Sequence, residues 1–326
     1  MDRRDIIAIG GSLGAVDAVK QICDSLPPGL AATVLIVIHV GAEGNNFLAD
    51  IFNERSPLKI TTAADGDVLE RGHAYVAPAD HHLLVIDNVL RLGRGPRENM
   101  ARPAIDPLFR SVGLGFGPRA IAVVLTGMLN DGAAGIADLK RCGGIAIVQN
   151  PSDAVAPDMP RGALNASEID YRAPLADMGG LLAALVGKEV GPAPAVPPEV
   201  RLEVEIALGQ RSDGAEIAKL AEPVPLSCPA CGGVLSQIKQ WPPLRFRCQV
   251  GHAYTAEALT TEKESAVDEA VRVALRIVEE RAVLNEKMAA DARRSGRHAA
   301  AAANNTRAEE CRGYADILRR AVVQGS

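Results

Sequence analysis

Between residues 5 and 186, short runs of β-branched and other apolar residues alternate with segments of helical periodicity. No other feature of the chain constrains its fold as much. IIAIGG (6–11), ATVLIVIHV (32–40) and AIAVVLTG (120–127) are strand-length and almost wholly apolar, as strands buried on both faces must be. Between them AVDAVKQICDSL, IDPLFRSVGLGFG, AAGIADLKRC and GGLLAALV carry apolar residues at helical spacing. The alternation predicts an α/β fold, a doubly wound, mainly parallel sheet of the Rossmann-like three-layer kind. HAYVAPADHHLLVIDNVLRL (73–92) reads as a hairpin-like pair of strands set into that pattern.

Each of the three runs ends in a residue with chemistry. The glycines after Ile9 make a sharp turn into a helix, which puts the Ser12 hydroxyl at the exposed end of the sheet. His39 stands where the second strand stops, and Asp131 lies just past the third, in the glycine-bracketed loop TGMLNDGAAG. A dinucleotide fingerprint fails in both registers, because its second glycine would fall on Ser12 or on Leu13. The second strand also ends in an imidazole where that motif needs an acid. Taken singly, Ser12 reads equally well as a helix cap and His39 as a core histidine. Asp131 reads singly as a helix cap too, yet the three together have a catalytic logic. A serine hydroxyl becomes a nucleophile when a base takes its proton, and the base works best when a carboxylate fixes its tautomer. Backbone N–H groups of the Asp131 loop, that of Met128 among them, are suited to holding an oxyanion. His81 and His82 face opposite sides of a strand and are not expected to share a metal. Arg97, Arg102 and Arg110, around PAID (103–106), read either as a basic face for an acidic partner or as solvated charges.

These residues carry a resemblance. IGGSLGA, the strand-end His39, GDVLERGHAYVAPADHHLLV, RPAIDPLFRS, LTGMLNDGAAG and GGIAIVQNPSDAVAPDMPRGAL are similar, in this order of family segments, to the chemotaxis protein-glutamate methylesterases, the CheB family. The resemblance implies Ser12 as nucleophile, His39 as base, Asp131 as third member and Met128 at the oxyanion site, with Leu13 and Arg102 at the substrate. It implies removal of methyl esters from glutamates of methylated chemoreceptors, deamidation of receptor glutamines, and no cofactor for the reaction. Leu13, Ile38 and Val40 replace polar or sulfur-bearing neighbours common in the family, which bears on substrate identity and rate. The family's phosphoryl-accepting receiver domain is not found before Ile6, so activity is expected not to respond to a phosphodonor. A non-catalytic signalling adaptor that keeps the fold is the alternative reading.

Beyond residue 187 the pattern changes. We expect a methylesterase-like domain over 1–187, a linker region over 188–224 that contains the proline-rich GPAPAVPPEV, a zinc-ribbon-like module over 225–254 and a helical hairpin over 255–326. In CPACGG and FRCQVGHAY, two residues separate Cys228 from Cys231, sixteen precede Cys248 and three more precede His252. That spacing suits tetrahedral structural zinc, which would stabilise a segment too short to build its own core. The linker suggests a metal that serves the module and leaves the reaction at Ser12 untouched. In the tail, Val267, Val271, Ala274, Val278 and Ala282 form one apolar stripe, Cys311, Ala315, Leu318 and Val322 a second, and Ser295-Gly296 the break between two helices. This extension is the expected surface for a signalling partner.

Composition narrows the function classes. A net charge of −5 argues against general binding to nucleic acid or anionic membrane. MDRRD leads into a strand-length run and not into a secretory h-region, and no stretch is long and apolar enough to span a bilayer. The six cysteines do not read as a disulfide framework. The expected compartment is the cytoplasm.

Overall fold

A computed structural model describes residues 2–40, 47–54, 56–210, 218, 221–239 and 242–324. Strands β1 (Ile6–Gly11), β2 (Thr33–Ile38), β3 (Lys59–Thr62) and β4 (His73–Val76) precede an antiparallel hairpin, β5 (His82–Ile86) and β6 (Val89–Gly93). After them come β7 (Ala120–Val124), β8 (Ile145–Gln149) and β9 (Tyr171–Ala173). The main sheet runs β3-β4-β2-β1-β7-β8-β9, with every pairing parallel. Chain order reverses direction at β1, so the crevice at the carboxyl ends beside that strand is where such sheets place their sites. The run 73–92 is thus divided: its first strand joins the main sheet, and the hairpin begins only after the polar APAD turn.

Helices α1 (Ala15–Ser25), α2 (Leu48–Asn53), α3 (Ile105–Phe116), α4 (Ala133–Arg141), α5 (Asp158–Ala166) and α6 (Leu175–Leu185) cover both faces. Alternation along β1 shows why its run is apolar throughout. Ile7 and Ile9 pack with residues of α1, α2 and α6, while Ile6 and Ala8 pack with residues of α3, α4 and α5.

Residues 1–259 form one compact unit and 260–326 a second. Within the expected linker, α7 (Pro198–Leu208) buries Val204 and Ala207 against Leu84 of the hairpin. A Cβ on Gly93 or Gly95 would sit 2.4 Å from the Ala207 carbonyl, so only glycine admits this approach. Beyond α7, strands β10 (Ala221–Ser227), β11 (Val234–Ile238), β12 (Arg245–Cys248) and β13 (Ala253–Thr255) build a four-stranded antiparallel sheet.

A buried charge network joins this sheet to the larger one. Arg110, expected on a basic surface, is 0% exposed. It donates to Glu98 at 2.6 Å and to Asp138 at 2.9 Å. Glu98 also accepts from Arg247 of β12 at 3.0 Å, and Arg247 pairs in turn with Glu203 of α7. Burial acts to raise both glutamates, but the Arg110 and Arg247 guanidiniums overcome it and hold them below the usual carboxylate range. Unfolding therefore takes up protons: the stabilisation is complete above the ordinary glutamate value of about 4.3 and is lost as pH falls below it. Arg247→Met, which takes one cation from each of two buried carboxylates and leaves Arg110 on Glu98 and Arg245 on Glu203, is expected to cost about 3 kcal/mol in urea unfolding at neutral pH. A wild-type urea midpoint that stays level on acidification through the glutamate range would count against the network.

The second unit is helical. The long helix Ala256–Arg294 runs into it, and His298–Gln324 follows after the expected break. Ala282, Ala289, Ala308, Cys311 and Ala315 are buried in it. Val267 is 60% exposed, so the first stripe does not extend that far. The Val322 side chain lies outside the described residues.

Candidate active site

The parallel register brings the first two residues of the site together. Gly11 of β1 pairs with Ile38 of β2, so Ser12 and His39 leave the sheet side by side, and the His39 N–H donates to the Gly11 carbonyl at 3.2 Å. Beside β1, the Ser12 N–H donates to the Thr126 carbonyl at 2.9 Å, and the Thr126 hydroxyl donates to the Leu13 carbonyl at 2.9 Å. Gly127 completes the turn because a Cβ there would lie 2.0 Å from the Met159 sulfur and 2.9 Å from the Ser12 Cβ. Met159, in the MPRGAL segment, thus packs on Gly127, which also borders Ser12.

Asp131 lies between β7 and α4 and is 2% exposed. Its Oδ2 is 2.7 Å from His39 Nε2 and accepts the Ile105 N–H at 2.6 Å. Its Oδ1 accepts from Asn99 Nδ2 at 2.9 Å and from the Asp106 N–H at 3.4 Å. Burial works to raise Asp131, yet the bonds from His39, Ile105 and Asn99 hold it below the usual carboxylate range. The amino end of α3 adds the favourable end of a helix dipole. Neighbouring Asp106 goes the other way, pushed up to about 7 by burial and by the Asp131 charge. Since Asp131 occupies Nε2, Nδ1 is the ring nitrogen left to take a proton from a hydroxyl.

The remaining candidates separate. Leu13 and Met128 are 53% and 56% exposed, and Val155, whose Cβ would crowd one on Gly14, is 75% exposed. Leu13 thus belongs to an exposed apolar rim with Met128 and Val155, while Ile38 is buried. Arg102 is occupied: Nε and Nη2 donate to Asp80 at 3.0 and 2.7 Å, and Nη1 to the Gly95 carbonyl at 3.0 Å. These bonds brace the loop, and the Arg102 side chain remains 21% exposed. His82 is 0% exposed and spans the Pro96 carbonyl and the Ala104 N–H, a structural role. Asn99, one polar residue in a loop, carries no signal in the sequence.

A sequence profile of the CheB methylesterase family matches residues 7–182. The chain belongs to the CheB methylesterase family. A Methanosarcina mazei protein-glutamate methylesterase/protein-glutamine glutaminase is 34% identical over 191 residues, covering 56% of this chain and 52% of that protein. A putative enzyme of the same name from Leptospira interrogans is 36% identical over 168 residues, covering 51% of this chain and 87% of its own length. The chain therefore spans about half the length of the first relative. The crystal structure of the Thermotoga maritima CheB methylesterase catalytic domain superposes with a TM-score of 0.54 at 29% identity, covering 56% of this chain and 98% of that domain.

The β10–β13 sheet lies outside the CheB match, and it gathers the four expected ligands. The ligand atoms of Cys228, Cys231, Cys248 and His252 all fall within 4.8 Å of one another. Cys231 and Cys248 sulfurs are 3.7 Å apart, and His252 Nδ1 is 3.4 and 3.8 Å from those of Cys248 and Cys228. A tetrahedral ion with Zn–S bonds of about 2.3 Å places sulfurs about 3.8 Å apart, so the donor set fits zinc. Tight turns hold each pair: the Cys228 N–H donates to the Gly233 carbonyl at 2.7 Å and the Cys248 N–H to the His252 carbonyl at 3.0 Å. The insulation expected from a linker is absent. β13 docks on the CheB portion, with the Asn99 N–H donating to the Ala253 carbonyl at 2.8 Å.

Proposed function

We propose that this chain is a serine hydrolase that demethylates glutamate γ-methyl esters, and deamidates glutamines, on chemoreceptor-like proteins in the cytoplasm. The observation that carries the reading is the His39–Asp131 pair at 2.7 Å, set at the strand ends from which Ser12 also emerges. Ser12 Oγ attacks the ester carbonyl while His39 Nδ1 takes its proton, and Asp131 stabilises the imidazolium. The tetrahedral oxyanion is held by backbone N–H groups of the Met128 loop. Collapse expels methanol, which leaves with the proton from His39. Water, deprotonated by the same ring, then releases the glutamate carboxylate and restores Ser12. For a glutamine the departing group is ammonia.

A glutamate γ-methyl ester peptide with a receptor-like helical sequence tests this directly. Methanol release, together with covalent labelling of Ser12 by a fluorophosphonate, is the expected result. No methanol and no labelling in the wild-type protein would overturn it and leave the adaptor reading.

We further propose structural zinc on Cys228, Cys231, Cys248 and His252. The protein should purify with about one zinc per chain by elemental analysis, and Cys228→Ser should lower that content. Full occupancy in the variant would remove Cys228 from the site.

A further inference from the structure

Of the groups that hold Asp131, His39 is the reacting partner and two N–H groups belong to the start of α3. Asn99 is different because its own placement comes from elsewhere. It is 7% exposed, and its backbone has a positive φ of 47°. Its side-chain oxygen accepts the Thr255 N–H at 2.9 Å. Its amide nitrogen donates to Asp131 at 2.9 Å and to Asp106 at 3.1 Å. An amide has one acceptor end and one donor end, and here β13 fixes the first, which aims the second at the acids. A flipped amide would put NH2 against the Thr255 N–H and oxygen against two carboxylates. β13 also grips the residue before Asp131, since Thr255 Oγ1 lies 2.5 Å from Asn130 Oδ1. This strand begins at Ala253, next to the proposed ligand His252.

We propose that Asn99 is a positioning residue for Asp131 and that the Cys/His sheet, through β13, sets its orientation, so that metal-dependent folding of that sheet governs how firmly Asp131 holds His39. The inference rests on the hydrolase reading above. It assigns the C-terminal sheet a part in turnover without a contact to substrate.

Asn99→Asp in the full chain is the informative variant. It keeps the oxygen that receives the Thr255 N–H and tolerates the same backbone, while turning both donated bonds into lone pairs facing carboxylates. With the methyl ester peptide, kcat is expected to fall by about 10- to 100-fold, as for loss of a bond to a charged group, with KM within about twofold. Asn99→Gly should behave alike. A second readout does not depend on turnover: removing the metal with a chelator should raise amide hydrogen exchange across residues 97–106 as well as within 225–255. Unchanged kcat in Asn99→Asp, or unchanged exchange at 97–106 in metal-stripped protein, would overturn the proposal. An inactive wild-type protein would instead overturn the hydrolase reading, and the exchange comparison would still decide whether the metal sheet orders the Asp131 surroundings.

Discussion

Ser12→Ala protein is expected to fold normally and to hydrolyse glutamate γ-methyl esters on the order of 10⁴-fold or more slowly than wild type. The turn does not depend on the hydroxyl, because it is held by the Ser12 backbone: its N–H donates to Thr126 and its carbonyl accepts the Ala15 N–H at 2.9 Å. The substitution therefore removes the attacking atom and little else. His39→Ala should be comparably severe and should not add to it, since members of a catalytic unit fail together. Steady-state methanol release, with thermal unfolding as the control for folding, measures both. Substantial turnover by Ser12→Ala would assign the nucleophile to another residue.

Asp131→Asn is expected to slow turnover by about 10⁴-fold, the effect of losing tautomer control in such units. Here the argument goes further, because every lone pair of Asp131 is in use. Oδ2 faces His39 and the Ile105 N–H, and Oδ1 faces Asn99 and the Asp106 N–H. An asparagine NH2 at the Oδ1 position faces two donors, the Asn99 amide and the Asp106 N–H, and Asn99 cannot turn to relieve it while Thr255 holds its oxygen; at the Oδ2 position it faces the Ile105 N–H and makes His39 Nε2 an acceptor, the wrong tautomer for Nδ1 to take a proton. A loss of stability of about 1–3 kcal/mol should accompany the kinetic defect. Full stability and full turnover in this variant would return Asp131 to a helix-capping role.

The parts of the site on strand ends were legible in the sequence, and those built by distant pairing were not. Ser12, His39 and Asp131 follow apolar runs whose length and composition dictate parallel strands, so their convergence needs only local pattern and sheet topology. Arg110 shows the opposite case. It stands on a helix whose apolar pattern gives no sign that its cationic side chain is buried, and Glu98 and Arg247, which explain it, are 149 residues apart. Glu203 had a faint signal, an acid within the run VRLEVEIAL. Prolines around residue 195 favour an extended segment, but such a preference does not tell how far the chain beyond it returns. Asn99 had no local signal, since its importance lies in two partners contributed by other elements.

The shared glutamate between Arg110 and Arg247 bears on whether the CheB portion can stand without the appended sheet. A chain shortened by residues 198–255 would keep Glu98 beneath the surface with half of its compensation and would expose Gly93, Gly95 and the Leu84 face to water. Removal of the appended sheet is thus expected to destabilise the CheB portion unless Glu98 and the hairpin surface are changed at the same time. Glu98, Glu203 and Arg247 are thus bound to one another as a single buried unit, while the exposed rim of Leu13, Met128 and Val155 carries no such constraint.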